Sequence, residues 1–206
     1  VTPNLSGTVT NGDGSLPMDA AMVSAQEYHP GETDPKDQVV IQAAGQSDED
    51  GAYALILEPG TYNIVAYRVN DEGAFGPACN SVTLTTGTVI TDNSIAIVAP
   101  EATGTVSGQI EIEEAEEDDS VTLSFRQAAD CGNGEEQIEV RSINVGGDYD
   151  EDTLAVLGSY GPVTLPTGIY TVVASVEGRT SVEVPDVEIT NVDAPPELDA
   201  IVFPVE

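Results

Sequence analysis

The side chains with the means to do chemistry are few in kind: one histidine, His29, one lysine, Lys36, two cysteines, Cys79 and Cys131, and 37 carboxylates. Nucleophilic catalysis needs a base beside a serine, threonine or cysteine. His29 is the sole imidazole; it precedes Pro30 in a turn-rich stretch, and the chain has no Gly-x-Ser-x-Gly elbow. One histidine and two separated cysteines do not make the tetrahedral nitrogen and sulfur set that zinc prefers. A pair of carboxylates is the minimum for glycoside hydrolysis, but among 37 acids some pairs lie close by abundance alone, and aromatics make up only 5% of the chain. No glycine-rich phosphate cradle is present. The expectation is a protein that is not an enzyme.

Calcium is the ligand the carboxylates fit best, because hard cations take clustered oxygens from loops. Asp148, Asp150 and Asp152 stand at alternate positions, as an EF-hand loop begins. Thr153 occupies the place of the sixth-position glycine, and Ser159 that of the bidentate glutamate. Asp48 and Asp50 form a second, weaker candidate, in Asp48-Glu-Asp-Gly51, because a turn capped by its own aspartates and closed by glycine explains the residues. Seven of the nine residues from 111 to 119 are acidic, a run suited to diffuse ion recruitment.

Net charge is -32, with 13 acidic and 2 basic residues before residue 100 and 24 and 3 after it. Such a field repels nucleic acid and anionic membranes, and no apolar run approaches the ~20 residues of a membrane-spanning helix. Acidity of this kind suits solubility in a salty exterior. The sequence opens Val1-Thr-Pro-Asn4, with neither an initiator methionine nor a leader, so an exported product with its signal peptide removed is expected. One cysteine in each half is consistent with an oxidising compartment and a disulfide, within the chain or between subunits.

The elements that would carry these residues are strands. Alternating or β-branched runs fall at residues 5–10, 20–28, 38–44, 52–57, 61–69, 81–85 and 89–98, separated by polar stretches that include 29–37 and 70–77. Both cysteines are expected in loops. A short linker at 99–103 comes next, and the pattern restarts. Ser107-Gly108 echoes Ser6-Gly7, and Tyr170, Val172 and Ala174 echo Tyr62, Ile64 and Ala66. Further strands are expected at 121–127, 137–145, 182–189 (an edge interrupted by Pro185) and 198–205, with an acidic loop at 146–152 and a turn at 193–196. The stretches 48–67 and 161–175 each read as two strands joined by a tight turn, a β-hairpin. The expected fold is all-β, two tandem antiparallel Greek-key β-sandwiches of seven or so strands each. Their expected limits are residues 1–99 and 104–206.

The stretch Asp48-Glu-Asp-Gly-Ala-Tyr53, then Pro59-Gly-Thr-Tyr62 and Val82-Thr-Leu-Thr-Thr-Gly-Thr-Val89, resembles the carboxypeptidase regulatory-like and collagen-adhesin B-type repeats. The resemblance covers nearly all of the first half; in the second it rests on Pro166-Thr-Gly-Ile-Tyr170 and the strands C-terminal to it. It implies a prealbumin-like sandwich serving as a non-catalytic module of secreted enzymes, adhesin stalks and surface proteins. Some adhesin relatives carry a Lys–Asn isopeptide bond. Lys36 lies in a polar stretch and not in a first strand, so that cross-link is not expected here. The expected role is a structural protein outside the cell: a spacer, an adhesin segment or a fibre subunit that self-associates through strand edges or meets a surface partner. The alternative is a calcium- or carbohydrate-binding module of a larger secreted system.

Overall fold

The computed structural model describes residues 2–70, 73–98, 103–190 and 197–204. The expected linker falls mostly at 99–102, and the expected turn at 193–196; both lie outside the described residues. Strands dominate: β1 (Leu5–Asn11), β2 (Met22–Tyr28), β3 (Val39–Gln46), β4 (Ala52–Leu55), β5 (Gly60–Asn70), β6 (Gly73–Leu84) and β7 (Ile95–Ile97) in the first half. The second half holds β8 (Thr103–Ile112), β9 (Val121–Asp130), β10 (Glu135–Val145), β11 (Asp148–Asp150), β12 (Ala155–Pro166), β13 (Gly168–Ser175), β14 (Val182–Ile189) and β15 (Glu197–Phe203). Among the described residues one short helix, α1 (Pro35–Gln38), sits in the stretch expected to be loop. Among the described residues no helix is long and apolar enough to cross a membrane.

The sheets run β4-β1-β7 and β3-β2-β5-β6 in the first half, and β11-β12-β8-β15 and β10-β9-β13-β14 in the second. The order is the same twice over, with β11 as an addition that the first half lacks. Ladders are antiparallel except where the first and last strands of each half meet: β1 runs parallel to β7, and β8 to β15. In the first half, Leu5 and Val9 of β1, Tyr53 and Leu55 of β4 and Ile95 and Ile97 of β7 pack against Val23, Ala25, Tyr62, Ile64, Ala66, Val82 and Leu84 of the other sheet. That is a sandwich core filled by small aliphatic residues, as alternation along each strand demands.

The expected hairpins are not hairpins. β4 pairs with β1, whereas β5 pairs with β2 and β6. β12 pairs with β8 and β11, whereas β13 pairs with β9 and β14. The turns at Glu58-Pro59-Gly60 and Pro166-Thr167-Gly168 therefore carry the chain from one sheet to the facing one. A tyrosine fixes each corner. The Tyr62 hydroxyl donates to the Glu58 carbonyl at 2.9 Å, and the Tyr170 hydroxyl to the Pro166 carbonyl at 2.9 Å. Both bonds reach back four residues, the arrangement known as a tyrosine corner. The echo between Tyr62 and Tyr170 thus marks a repeated inter-sheet crossing. Tyr170→Phe should lower stability by about 1.5 kcal/mol, since it strands a buried carbonyl; urea denaturation of the variant beside wild type measures it.

Other differences arise from long-range pairing. The polar stretch at 70–77 is largely strand, because β6 begins at Gly73 and pairs with β5 through a register shift between Ala66 and Arg68. Cys79 accordingly sits in a strand, opposite Val65, and not in a loop. The run at 89–98 yields only three residues of strand, Ile95–Ile97, preceded by a single parallel bridge between Leu5 and Ile90.

Candidate functional site

By compactness the chain divides into two units. The first comprises Val1–Gly31, Gln38–Glu101 and Ala128–Val140; the second Glu32–Asp37, Ala102–Gln127 and Arg141–Glu206. Each unit thus includes a short segment from the other half of the sequence, and the buried Gln26, Asn63, Arg126 and Ser181 bond to those segments.

In the first unit the covered strand is β5. Residues Tyr62, Asn63, Ile64, Val65 and Ala66 are all buried. Continuous burial along a strand means that both of its faces are covered. Tyr62, Ile64 and Ala66 face the sandwich core, while Val65 packs with Cys131, Ile138, Cys79 and Ala129. Cys79 and Cys131 are joined by a disulfide, with their Cα atoms 5.1 Å apart and a separation of 52 in sequence. Around this bond the segment is fastened by polar contacts. Ser81 N–H donates to the Cys131 carbonyl at 2.6 Å. The Asn63 amide donates to the Glu136 carboxylate at 2.6 Å. Gln26, fully buried on β2, donates its amide N–H to the Glu139 carbonyl at 2.7 Å and accepts the Glu139 N–H at 2.8 Å, as a strand neighbour would.

The second unit uses its Glu32–Asp37 segment in the same way. Arg126, 4% exposed, alternates with the core residues Leu123 and Phe125 on β9 and so points to the other face. Its guanidinium donates to Ser124 Oγ at 2.9 Å, to the Pro35 carbonyl at 2.6 Å and to the Lys36 carbonyl at 3.3 Å. Lys36 Nζ lies 3.0 Å from Asp34 Oδ2 and donates to the Arg179 carbonyl at 3.0 Å. Ser181 donates its hydroxyl to Asp34 in a short bond. Burial works against the charged Asp34 carboxyl, but the bonds from Ser181 and Lys36 outweigh it and hold the group below its ordinary value. Lys36 is thereby committed to this clasp.

The carboxylates singled out for calcium are placed at two separate sites, and the stretch at 146–152 expected to be a loop holds the short strand β11, paired with β12. Asp148 and Asp150 lie on β11, exposed, with Asp152 in the turn after it. Asp150 Oδ1 accepts the Asp152 N–H at 2.9 Å; that bond, with a second from the Thr153 hydroxyl, lowers the Asp150 pKa. Asp48 Oδ1 accepts the N–H groups of Asp50 and Ala52 at 3.0 and 2.8 Å, leaving Asp50 exposed at the turn. In both turns, 150–152 and 48–52, a carboxylate caps its own backbone. Among the described residues no group of three or more acidic, histidine or cysteine side chains is arranged to hold a metal ion. An open acidic cleft in the second unit is lined by Glu114, Glu116, Asp118, Asp119 and Glu177 around Arg179. His29 is half-exposed, 3.4 Å from the Glu27 carboxylate.

A glycine faces a tyrosine at matching places in the two units. Gly7 on β1 pairs with Tyr53, and Gly108 on β8 pairs with Tyr160. A Cβ on Gly108 would stand 2.6 Å from the Tyr160 hydroxyl, so the ring lies over bare backbone. Burial pushes the Tyr53 hydroxyl up to about 12, against the opposing bond from Asn93, and Tyr160 likewise to about 12. The Ser6-Gly7 and Ser107-Gly108 echo carries this arrangement; its tyrosine partners were not evident from spacing.

No family model matches the sequence. No curated protein matches it either. Among solved structures, the chain is similar to the shaft pilin SpaA from Lactobacillus rhamnosus GG, at 10% identity and a TM-score of 0.33, covering 98% of this chain and 97% of that one. It is similar to GBS52, the minor pilin of Streptococcus agalactiae, at 10% identity and a TM-score of 0.30, covering 98% and 94%. A third likeness is to the Bacillus anthracis TIE protein, at 16% identity and a TM-score of 0.33; it covers 97% of this chain but only 33% of that protein.

Proposed function

We propose that this chain is a structural module of the extracellular space or cell surface: a spacer, adhesin segment or fibre subunit acting through contacts with other proteins, copies of itself included. The observation that carries the reading is the Cys79–Cys131 disulfide, which ties β6 to the turn after β9 in the first unit. Such a bond persists where thiols are kept oxidised, as outside the cell, and is rare in a reducing cytosol. The two sandwiches of matching strand order agree with it, as does a net charge of -32, which favours solubility in a salty exterior. On this reading the sequence modules at 1–99 and 104–206 are repeats of the carboxypeptidase regulatory-like or collagen-adhesin B type.

The test uses protein from its native source. Intact-mass measurement before and after reductant should show the untreated chain lighter by its thiol hydrogens, and immunogold labelling of unpermeabilised cells should decorate the surface. Free thiols in the native material, or label confined to the cytosol, would overturn the reading.

A further inference from the structure

A sheet edge is an open row of backbone donors and acceptors, and proteins blunt such edges by shortness, charge, proline or cover. β4 and β7 have four and three residues, and β11 three with two aspartates. β14 carries Glu183, Pro185, Asp186 and Glu188; β15 carries Glu197 and Asp199; β10 carries Glu135, Glu136, Glu139 and Arg141. β6 is long and uncharged but covered, since Gly76 N–H bonds the Val98 carbonyl and Ser81 N–H the Cys131 carbonyl. β3 differs from all of these. It has eight residues, Val39-Val-Ile-Gln-Ala-Ala-Gly-Gln46, with no charge and no proline, and lies at the rim of its sheet with β2 as its ladder partner. Ile41 is 41% exposed, and Gln42, Ala44 and Gln46 are exposed as well. Its one irregularity is a bulge at Gln42, whose amide donates to the Glu27 carboxylate at 2.8 Å.

We infer that β3 is the seat of a two-fold interface, in which the β3 strands of two copies of this chain pair antiparallel to make one continuous eight-stranded sheet. Self-complementarity selects the occupant, since β3 presents to its own copy the same uncharged, proline-free ladder that the copy presents to it, and charge selects the edge. Two chains of net charge -32 repel wherever carboxylates meet, and β3 is the long open edge where a copy can approach without setting like charges opposite one another. Pairing of a strand with its own copy is isologous and closes at the dimer. The inference deepens the self-associating module proposed above and rests on it.

Because long-range repulsion opposes the contact, salt should favour it. Sedimentation equilibrium of the full chain in about 0.1 M and about 1 M NaCl, where the Debye length falls from about 10 to about 3 Å, should show dimer tightening at least about tenfold. Ile41→Glu and Ala44→Glu place a carboxylate on exposed positions of β3. Each should weaken the dimer at least about tenfold while leaving the melting temperature of the monomer unchanged. A chain monomeric at high salt and high concentration would overturn the inference, as would a dimer that both variants leave intact or assembly that runs past the dimer. None of these outcomes bears on surface labelling, so the failure of the interface and of the module reading remain distinguishable.

Discussion

Replacing both cysteines by alanine, or reducing the native disulfide, is expected to lower the stability of the first unit by about 4 kcal/mol on loop-closure entropy for a link between residues 52 apart. The denatured chain is freed of a large closed loop while the native contacts remain. Those contacts are not negligible: Val65 and Ile138 are buried in one cluster with the two cysteines, and Ser81, Asn63 and Gln26 fasten the same segment by hydrogen bonds. The variant should therefore fold with Ala128–Val140 still in place, and lose its margin against urea. Urea midpoints of oxidised and reduced protein, with hydrogen exchange on residues 128–140, measure both parts. Equal midpoints in the two states would show that the bond does not restrain the unfolded chain.

The second large effect is expected from one methyl group. In Gly7→Ala the added Cβ would fall on the Asn93 carbonyl, well inside contact distance, and the obstacle is backbone that no side-chain rotation relieves. The same carbonyl accepts the buried Tyr53 hydroxyl at 2.7 Å, and the Asn93 side-chain amide donates back to that hydroxyl at 2.7 Å. Moving Asn93 thus strains a buried hydrogen-bonded pair as well as the approach of the chain to β1. The cost should reach about 3 kcal/mol, the upper end for overpacking a filled interior. Gly14→Ala is the control: Gly14 has open space around it, and its positive φ of 72° limits the penalty to backbone strain of about 1 kcal/mol. Thermal and urea melts of the two variants give the comparison, and equal losses would refute the steric account.

Core alternation was legible in the sequence because it is written locally. Tyr62, Ile64 and Ala66 face the core of the first unit, and their counterparts Tyr170, Val172 and Ala174 are buried in the second. The all-β class and the repetition of the fold emerge from the same kind of signal. A turn signal such as Pro59-Gly60 is weaker: it reports that the chain reverses, not whether the returning strand stays in its own sheet. The tyrosine two residues beyond the glycine, in both halves, is the mark of a crossing. The burial of Gln26, Asn63, Ser124 and Arg126 left no local trace. These polar residues alternate with core positions as solvent-facing ones do, and what covers them comes from far along the chain, 113 residues away for Gln26 and Glu139. Pairing of Cys79 with Cys131 was hidden in the same way, because placing Cys79 required knowing that residues 73–77 continue a strand.

The sulfur–sulfur bond also changes what a single cut can do. A protease that hydrolyses any one peptide bond between Cys79 and Cys131, the stretch at 99–102 included, leaves the two terminal pieces covalently joined. Only a cut inside that ring combined with reduction, or a cut outside the ring, releases one end of the chain from the other. A nick anywhere from residue 79 to residue 131 therefore shortens no end of the chain and sheds no mass until a reductant opens the bond.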